Sequence, residues 1–133
     1  MKIQMSTDYA VRALQYIHAH DDEILTGYEI AEAIGVPYPF FARIAGQLKR
    51  KGLLATVKGR NGGYCLAKPL ESIDFYEVFV STEGELQMSH CLMENRSCNR
   101  EAEASCGLRG FICDLQKRVI SEMSGKKLVE LAP

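Results

Sequence analysis

Residues Ala33–Leu70, AIGVPYPFFARIAGQLKRKGLLATVKGRNGGYCLAKPL, decide the fold of this chain. The stretch contains no Asp or Glu and seven bases: Arg43, Lys49, Arg50, Lys51, Lys58, Arg60 and Lys68. It has the pattern of a helix, a short connection and a Gly-tipped hairpin. A one-sign surface on so compact a unit points to a partner of opposite charge and regular shape, above all DNA. The alternative is an ordinary solvated basic face.

Pro37 and Pro39 suit a turn and the first turn of a helix, where the missing N–H costs nothing. That helix is expected to run to about Lys51, with Phe41, Ile44, Ala45 and Leu48 on its apolar face and Gly52 closing it. Leu53–Lys58 and Gly63–Ala67 read as short strands, with Gly59-Arg60-Asn61-Gly62-Gly63 as the turn. Asn-Gly is a strong hairpin signal because both central positions of its usual turn take φ > 0. Upstream, Thr26-Gly-Tyr-Glu29 is a capping box. It opens a short helix through Ile30, Ala31 and Ile34 that Gly35 stops. Two short helices joined by a Gly-containing turn form a helix-turn-helix, and the hairpin that follows is a wing.

Working outward, Ala10, Ala13, Leu14 and Ile17 form one apolar stripe of a helix over Thr7–His20, with Ser6 or Thr7 as its cap. Asp74-Phe-Tyr-Glu77 is a second capping box before Val78, Phe79 and Val80. From Ser81 to Ser105 the periodicity is lost, and a segment of that length marks a functional loop. A helical period returns at Leu108, Phe111, Ile112, Leu115, Val119 and Met123, and Gly125 ends it. The expected fold is mainly α with a small β-hairpin. Residues 1–80 form a winged helix-turn-helix domain, 81–106 a cysteine-bearing sensor loop, and 107–133 a dimerisation helix and tail.

A length of 133 residues allows one domain with a real core, and 47% apolar with 25% charged residues is ordinary globular composition. Residues 1–68 hold nine bases and six acids; residues 69–133 hold seven bases and eleven acids. The front half therefore looks like the nucleic-acid-facing part. The apolar runs are too short and too broken by charge for a membrane span. MKIQMSTDYAVRAL lacks the apolar core of a secretory signal, so the expected location is the cytoplasm.

DNA presents rows of phosphates that Lys and Arg on a rigid element can meet. The outward, N-terminal face of the second helix of the motif carries Tyr38, Pro39, Phe40, Ala42 and Arg43. Arg43 can pair with guanine or a phosphate, and Tyr38 and Phe40 can meet thymine methyls or phosphate. Arg60 on the wing suits a minor groove. Lys49, Arg50 and Lys51 are either phosphate contacts or a solvated helix end. The expected DNA-facing set is Tyr38, Pro39, Phe40, Arg43, Lys49, Arg50, Lys58, Arg60 and Asn61.

Four of the five cysteines lie within 23 residues, which points to metal or redox chemistry. Cys91-x6-Cys98-x7-Cys106 puts three thiols on a polar loop, where they can converge on one centre. Such a set suits an iron–sulfur cluster, or, with His90 as a fourth ligand, Zn²⁺. Cys113 reads as a packed or interfacial thiol and Cys65 as a small apolar filler on a wing strand. His18 and His20 fit a helix C-terminus. No phosphate-binding Gly-rich loop and no Ser/His/Asp ordering supports an enzyme.

STDYAVRAL, IAEAIGV, LKRKGLL and GRNGGYCLAKP together resemble the IscR/NsrR family of bacterial winged-helix repressors, over nearly the whole chain to about Leu131. The resemblance implies a homodimer on a palindromic promoter site, paired through the long C-terminal helix. It also implies a 2Fe–2S or 4Fe–4S cluster, whose three cysteine ligands fall on Cys91, Cys98 and Cys106. In some members an acidic residue of the partner's first helix completes the site, and Asp8 matches it. Others use a His after the third Cys, where this chain has Leu108, Arg109 and Gly110. The spacings of six and seven exceed those of the best-known cluster binders. The expectation is a homodimeric DNA-binding repressor that senses redox, iron or nitric oxide through the cluster. The alternatives are a cluster-free thiol/disulfide sensor on the same fold and a Zn-stabilised interaction module.

Overall fold

The computed structural model describes residues 2–93, 98–101 and 104–133. Of the loop expected at 81–106, residues 94–97 and 102–103 lie outside the described set. The elements run α1 (Met5–Ala19), α2 (Gly27–Ile34), α3 (Tyr38–Arg50), β1 (Leu54–Val57), β2 (Gly63–Leu66), α4 (Phe75–Glu83) and α5 (Gly107–Ser124). Single 3-10 turns sit at Leu70–Ser72, His90–Leu92 and Leu128–Leu131. This is a winged helix-turn-helix with a long C-terminal helix, as the residue pattern predicts.

The stripes expected on the first three helices form the main core. Ala10, Leu14 and Ile17 of α1 meet Ile30 of α2 and Phe41, Ile44 and Leu48 of α3, all buried. Each of the Leu, Ile and Phe side chains among them contributes about 1.5–3 kcal/mol by leaving water. Both capping boxes are closed. Thr26 Oγ1 accepts from Glu29 N and Glu29 Oε2 from Thr26 N; Asp74 and Glu77 repeat the exchange.

Two local expectations are corrected. First, neither Ser6 nor Thr7 caps α1, which starts earlier, after Gln4. Both are buried inside the helix. Thr7 Oγ1 instead bonds Thr82 Oγ1 at 2.6 Å and the Glu83 carboxylate, while Gln4 N donates to Glu83 Oε2 at 3.3 Å. A carboxylate from α4 thus meets the positive end of α1, replacing a local cap with a tertiary one.

Second, the wing does not close through Asn61 and Gly62 with φ > 0. The strands pair antiparallel from Leu54↔Leu66 to Val57↔Gly63. The tip turns from Gly59 to Gly62, whose N–H reaches Gly59 O at 3.0 Å, and at the tip the left-handed φ, 109°, belongs to Gly59. Gly62 and Gly63 are glycines because of crowding. A Cβ on Gly62 would lie 2.1 Å from Val57 O, and one on Gly63 2.1 Å from Leu25 O.

The tail contributes to the core. Leu128 is fully buried against the main cluster, and its N–H bonds Ile73 O at 3.0 Å. The boundary drawn at residue 80 also falls inside α4, which runs to Glu83. A second, smaller cluster, Phe79, Leu86 and Met123, fastens the C-terminal half of α5 to α4.

Lys68, one of the seven bases, is paired within the fold, with Nζ 2.5 Å from Glu77 Oε1. Partial burial alone would raise the Glu77 carboxyl, but Lys68 and the Asp74 N–H outweigh it and hold it below the usual value. A lowered native pKa contributes stability that is present above the unfolded pKa, near 4.5, and is lost as pH falls through the native value. Urea midpoints measured downward from pH 4.5 should therefore fall more for the wild type than for Glu77→Gln. Equal acid sensitivity would remove Glu77 from the acid limb.

Candidate functional site

The residues expected to face DNA are tied together by contacts between α3, the wing and their neighbours. α3 passes through Lys51, Gly52 and Leu53 into β1, and Lys49 Nζ bonds Thr56 Oγ1 at 3.0 Å, joining the end of the helix to the wing. Phe41 meets Tyr64 of β2 edge-on, with centroids 5.4 Å apart, and Tyr64 N bonds Leu25 O at 2.7 Å. Burial, then the nearby Tyr38, push the Tyr64 phenol above its usual value, so it stays neutral. Pro39, Phe40, Arg43, Lys49, Arg50, Lys58, Arg60 and Asn61 are exposed, and Tyr38 is half-buried. Tyr38 stacks on Tyr28, and Phe40 packs edge-on against Tyr9 of α1. The face expected to read DNA is thus buttressed by α1, α2 and the wing.

Arg60, at the exposed wing tip, should matter to every DNA sequence alike. Arg60→Ala should bind about tenfold more weakly at physiological salt and lower the log–log salt slope by about one. Unchanged affinity and slope in a fluorescence titration would take the wing tip out of the interface.

Cys91, Cys98 and Cys106 line one cavity of about 380 Å³, together with Ser89, His90, Arg100 and Arg109. Cys106 is the cap of α5, its sulfur accepting the Arg109 N–H at 3.5 Å. Arg100 bridges two thiols: its backbone N–H points to Cys98 Sγ at 3.4 Å and its guanidinium to Cys106 Sγ at 3.8 Å. Ser89 Oγ lies 3.2 Å from Cys91 Sγ, and Arg109 Nε reaches Cys91 O at 3.5 Å. N–H and O–H donors aimed at sulfur are the surroundings an iron–sulfur centre uses. In chemical type, three thiols with such donors suit this kind of group. Among the described residues, no three His, Cys, Asp or Glu side chains converge closely enough to hold a metal ion.

Asp8 is elsewhere, on α1, bound through both carboxylate oxygens to Arg12 at 2.6 and 3.3 Å. The Arg12 guanidinium lies 5.3 Å from the Tyr9 ring, and Tyr9 meets Phe40 at 5.7 Å. Asp8 is thereby linked by three contacts to the N-terminal turn of α3. Reading the sequence alone missed Arg12, Arg100 and Arg109. The i,i+4 spacing of Asp8 and Arg12 was a usable signal. The roles of Arg100 and Arg109 depend on how the loop folds back on α5. Cys113 and Cys65 are half-buried and do not line this cavity.

No helix among the described residues is long and apolar enough to cross a membrane. A protein of Rhizobium meliloti, aau3, is 34% identical over 130 residues, covering 92% of this chain and 84% of that protein. The HTH-type transcriptional regulator NsrR of Shouchella clausii is 32% identical over 114 residues, covering 84% of this chain and 75% of its own length. In structure, T. potens IscR superposes with a TM-score of 0.74 at 20% identity, over 98% of this chain and 85% of that one. The model of the Rrf2 family, described as iron-dependent transcriptional regulators, matches residues 3–133. This chain is accordingly a DNA-binding transcriptional regulator and not an enzyme, and it belongs to the Rrf2 family.

Proposed function

We propose that two copies of this chain pair through α5, bind a palindromic promoter site in the cytoplasm and repress transcription. We also propose that Cys91, Cys98 and Cys106 hold an iron–sulfur cluster through which iron, redox state or nitric oxide is sensed. The observation that carries the reading is the gathering of these three thiols on one cavity at the start of α5. A bound cluster supplies a redox-active centre that oxidants and nitric oxide can degrade.

The chain's own residues do the rest. α5 holds Cys106 at its N-terminus and leaves Leu108 and Phe111 exposed at 60% and 64%, an apolar edge that a second copy can cover. Asp8 of that copy is the candidate fourth ligand. Ligation by Asp8 would compete with its pairing to Arg12, which leads through Tyr9 to Phe40. Promoter affinity then depends on the state of the cysteine site.

Anaerobic purification followed by an absorption spectrum and iron and sulfide analysis tests this. Brown protein with iron and acid-labile sulfide supports it; colourless protein overturns it. The shared contact of Arg100 with Cys98 and Cys106 favours the thiol-sensor alternative if the protein is colourless and metal-free. An oxidant-induced loss of two hydrogens in mass would then identify a disulfide. Stoichiometric Zn with no DNA affinity would identify the interaction module, with His90 beside the thiols as the fourth ligand.

A further inference from the structure

We propose that Tyr28 is a DNA-backbone contact, its phenolic O–H donating to a phosphate oxygen beside the recognition helix. The residue is 68% exposed, far more than Phe40 at 38%. It is also held in place. It stacks on Tyr38, the first residue of α3, with centroids 4.0 Å apart and ring planes within 14°. That seat exists because residue 27 is glycine. A Cβ there would lie 2.7 Å from the Tyr38 ring and 3.2 Å from the Tyr64 ring. Tyrosines from α2, α3 and β2 therefore gather around Gly27, and Tyr28 is the outermost.

The chemistry of α2 singles out the same residue. α2 is the first helix of the helix-turn-helix, the one that crosses the phosphate backbone in this motif. Its sequence, GYEIAEAI, contains no base. The polar side chains besides Tyr28 are Glu29 and Glu32, which as carboxylates only accept hydrogen bonds. Glu29 is turned back onto the Thr26 N–H at 2.8 Å, away from an incoming phosphate. Tyr28 is thus the side chain of α2 that can donate to DNA. A stacked ring with two side-chain torsions loses little entropy on binding.

The test titrates the intact protein, by fluorescence anisotropy, with two labelled duplexes of about 30 base pairs. One has arbitrary sequence; the other is selected from a random pool by the wild type. Tyr28→Phe, which keeps the ring, should bind both about ten- to a hundredfold more weakly, the loss of one hydrogen bond to a charged acceptor. Its salt slope should match the wild type, because no charge is removed, whereas Arg60→Ala should lower that slope. Tyr28→Ala should lose at least as much affinity as Tyr28→Phe.

Wild-type affinity in Tyr28→Phe overturns the proposal. A loss confined to Tyr28→Ala, or a lower thermal midpoint in Tyr28→Phe, makes Tyr28 a support for Tyr38 and overturns it too. A loss confined to the selected duplex makes it a base reader, which is also incompatible with a phosphate contact. None of these outcomes depends on whether the cysteines hold a cluster.

Discussion

Cys98→Ala protein, purified without oxygen, should come off the column colourless, with iron and sulfide lost, and should still run at the size of the wild type. Cys98 lines the cavity together with Cys91 and Cys106, and removing one of three thiolates leaves too few ligands for an iron–sulfur centre. Cys98 lies outside both buried clusters, so its truncation should shift stability by no more than about 0.5 kcal/mol. DNA affinity should persist on arbitrary sequence, where phosphates dominate, and lose its response to iron or nitric oxide on a selected site. Full colour in this variant would remove Cys98 from the ligand set. Loss of the protein's wild-type size would show that the thiol has a structural role.

Gly63→Ala should strongly destabilise the wing although it adds a single methyl. The added Cβ would sit 2.1 Å from Leu25 O and 2.7 Å from Leu25 C, and Leu25 is itself buried. Relief requires β2 to move off Leu25, which breaks the 2.7 Å bond from Tyr64 N. Overpacking of this kind costs about 2–3 kcal/mol. The base of the wing shifts with it, so binding should weaken on every duplex. Asn61→Ala is the control. Asn61 is exposed at the tip and does not have a positive φ, so stability should change by about 0.5 kcal/mol or less. Urea unfolding of both variants checks this. A Gly63→Ala protein as stable as the wild type would mean that the contact with Leu25 yields at no cost.

The two wing predictions show where local chemistry sufficed. The Asn-Gly signal correctly located a hairpin, because few other dipeptides reverse a chain so readily. It misassigned the reason for the glycines. The backbone strain falls on Gly59, and Gly62 and Gly63 answer to close approaches. One of those approaches comes from Leu25, 38 positions earlier in the chain. Residues in contact across such a separation leave no periodic trace.

The sequence by itself determined the apolar stripes of α1, α3 and α5, both capping boxes, the helix-turn-helix order and the clustering of three cysteines on one loop. All of these depend on spacings of a few residues, over which backbone geometry is nearly invariant. Only the tertiary structure decided that Glu83 caps α1, that Lys68 pairs with Glu77, and that Leu128 completes the core. It alone placed Arg100 and Arg109 among the thiols and seated Tyr28 on Tyr38. These contacts form between segments that meet only when the core closes. Their partners are chosen by packing and charge in three dimensions, which no local pattern encodes.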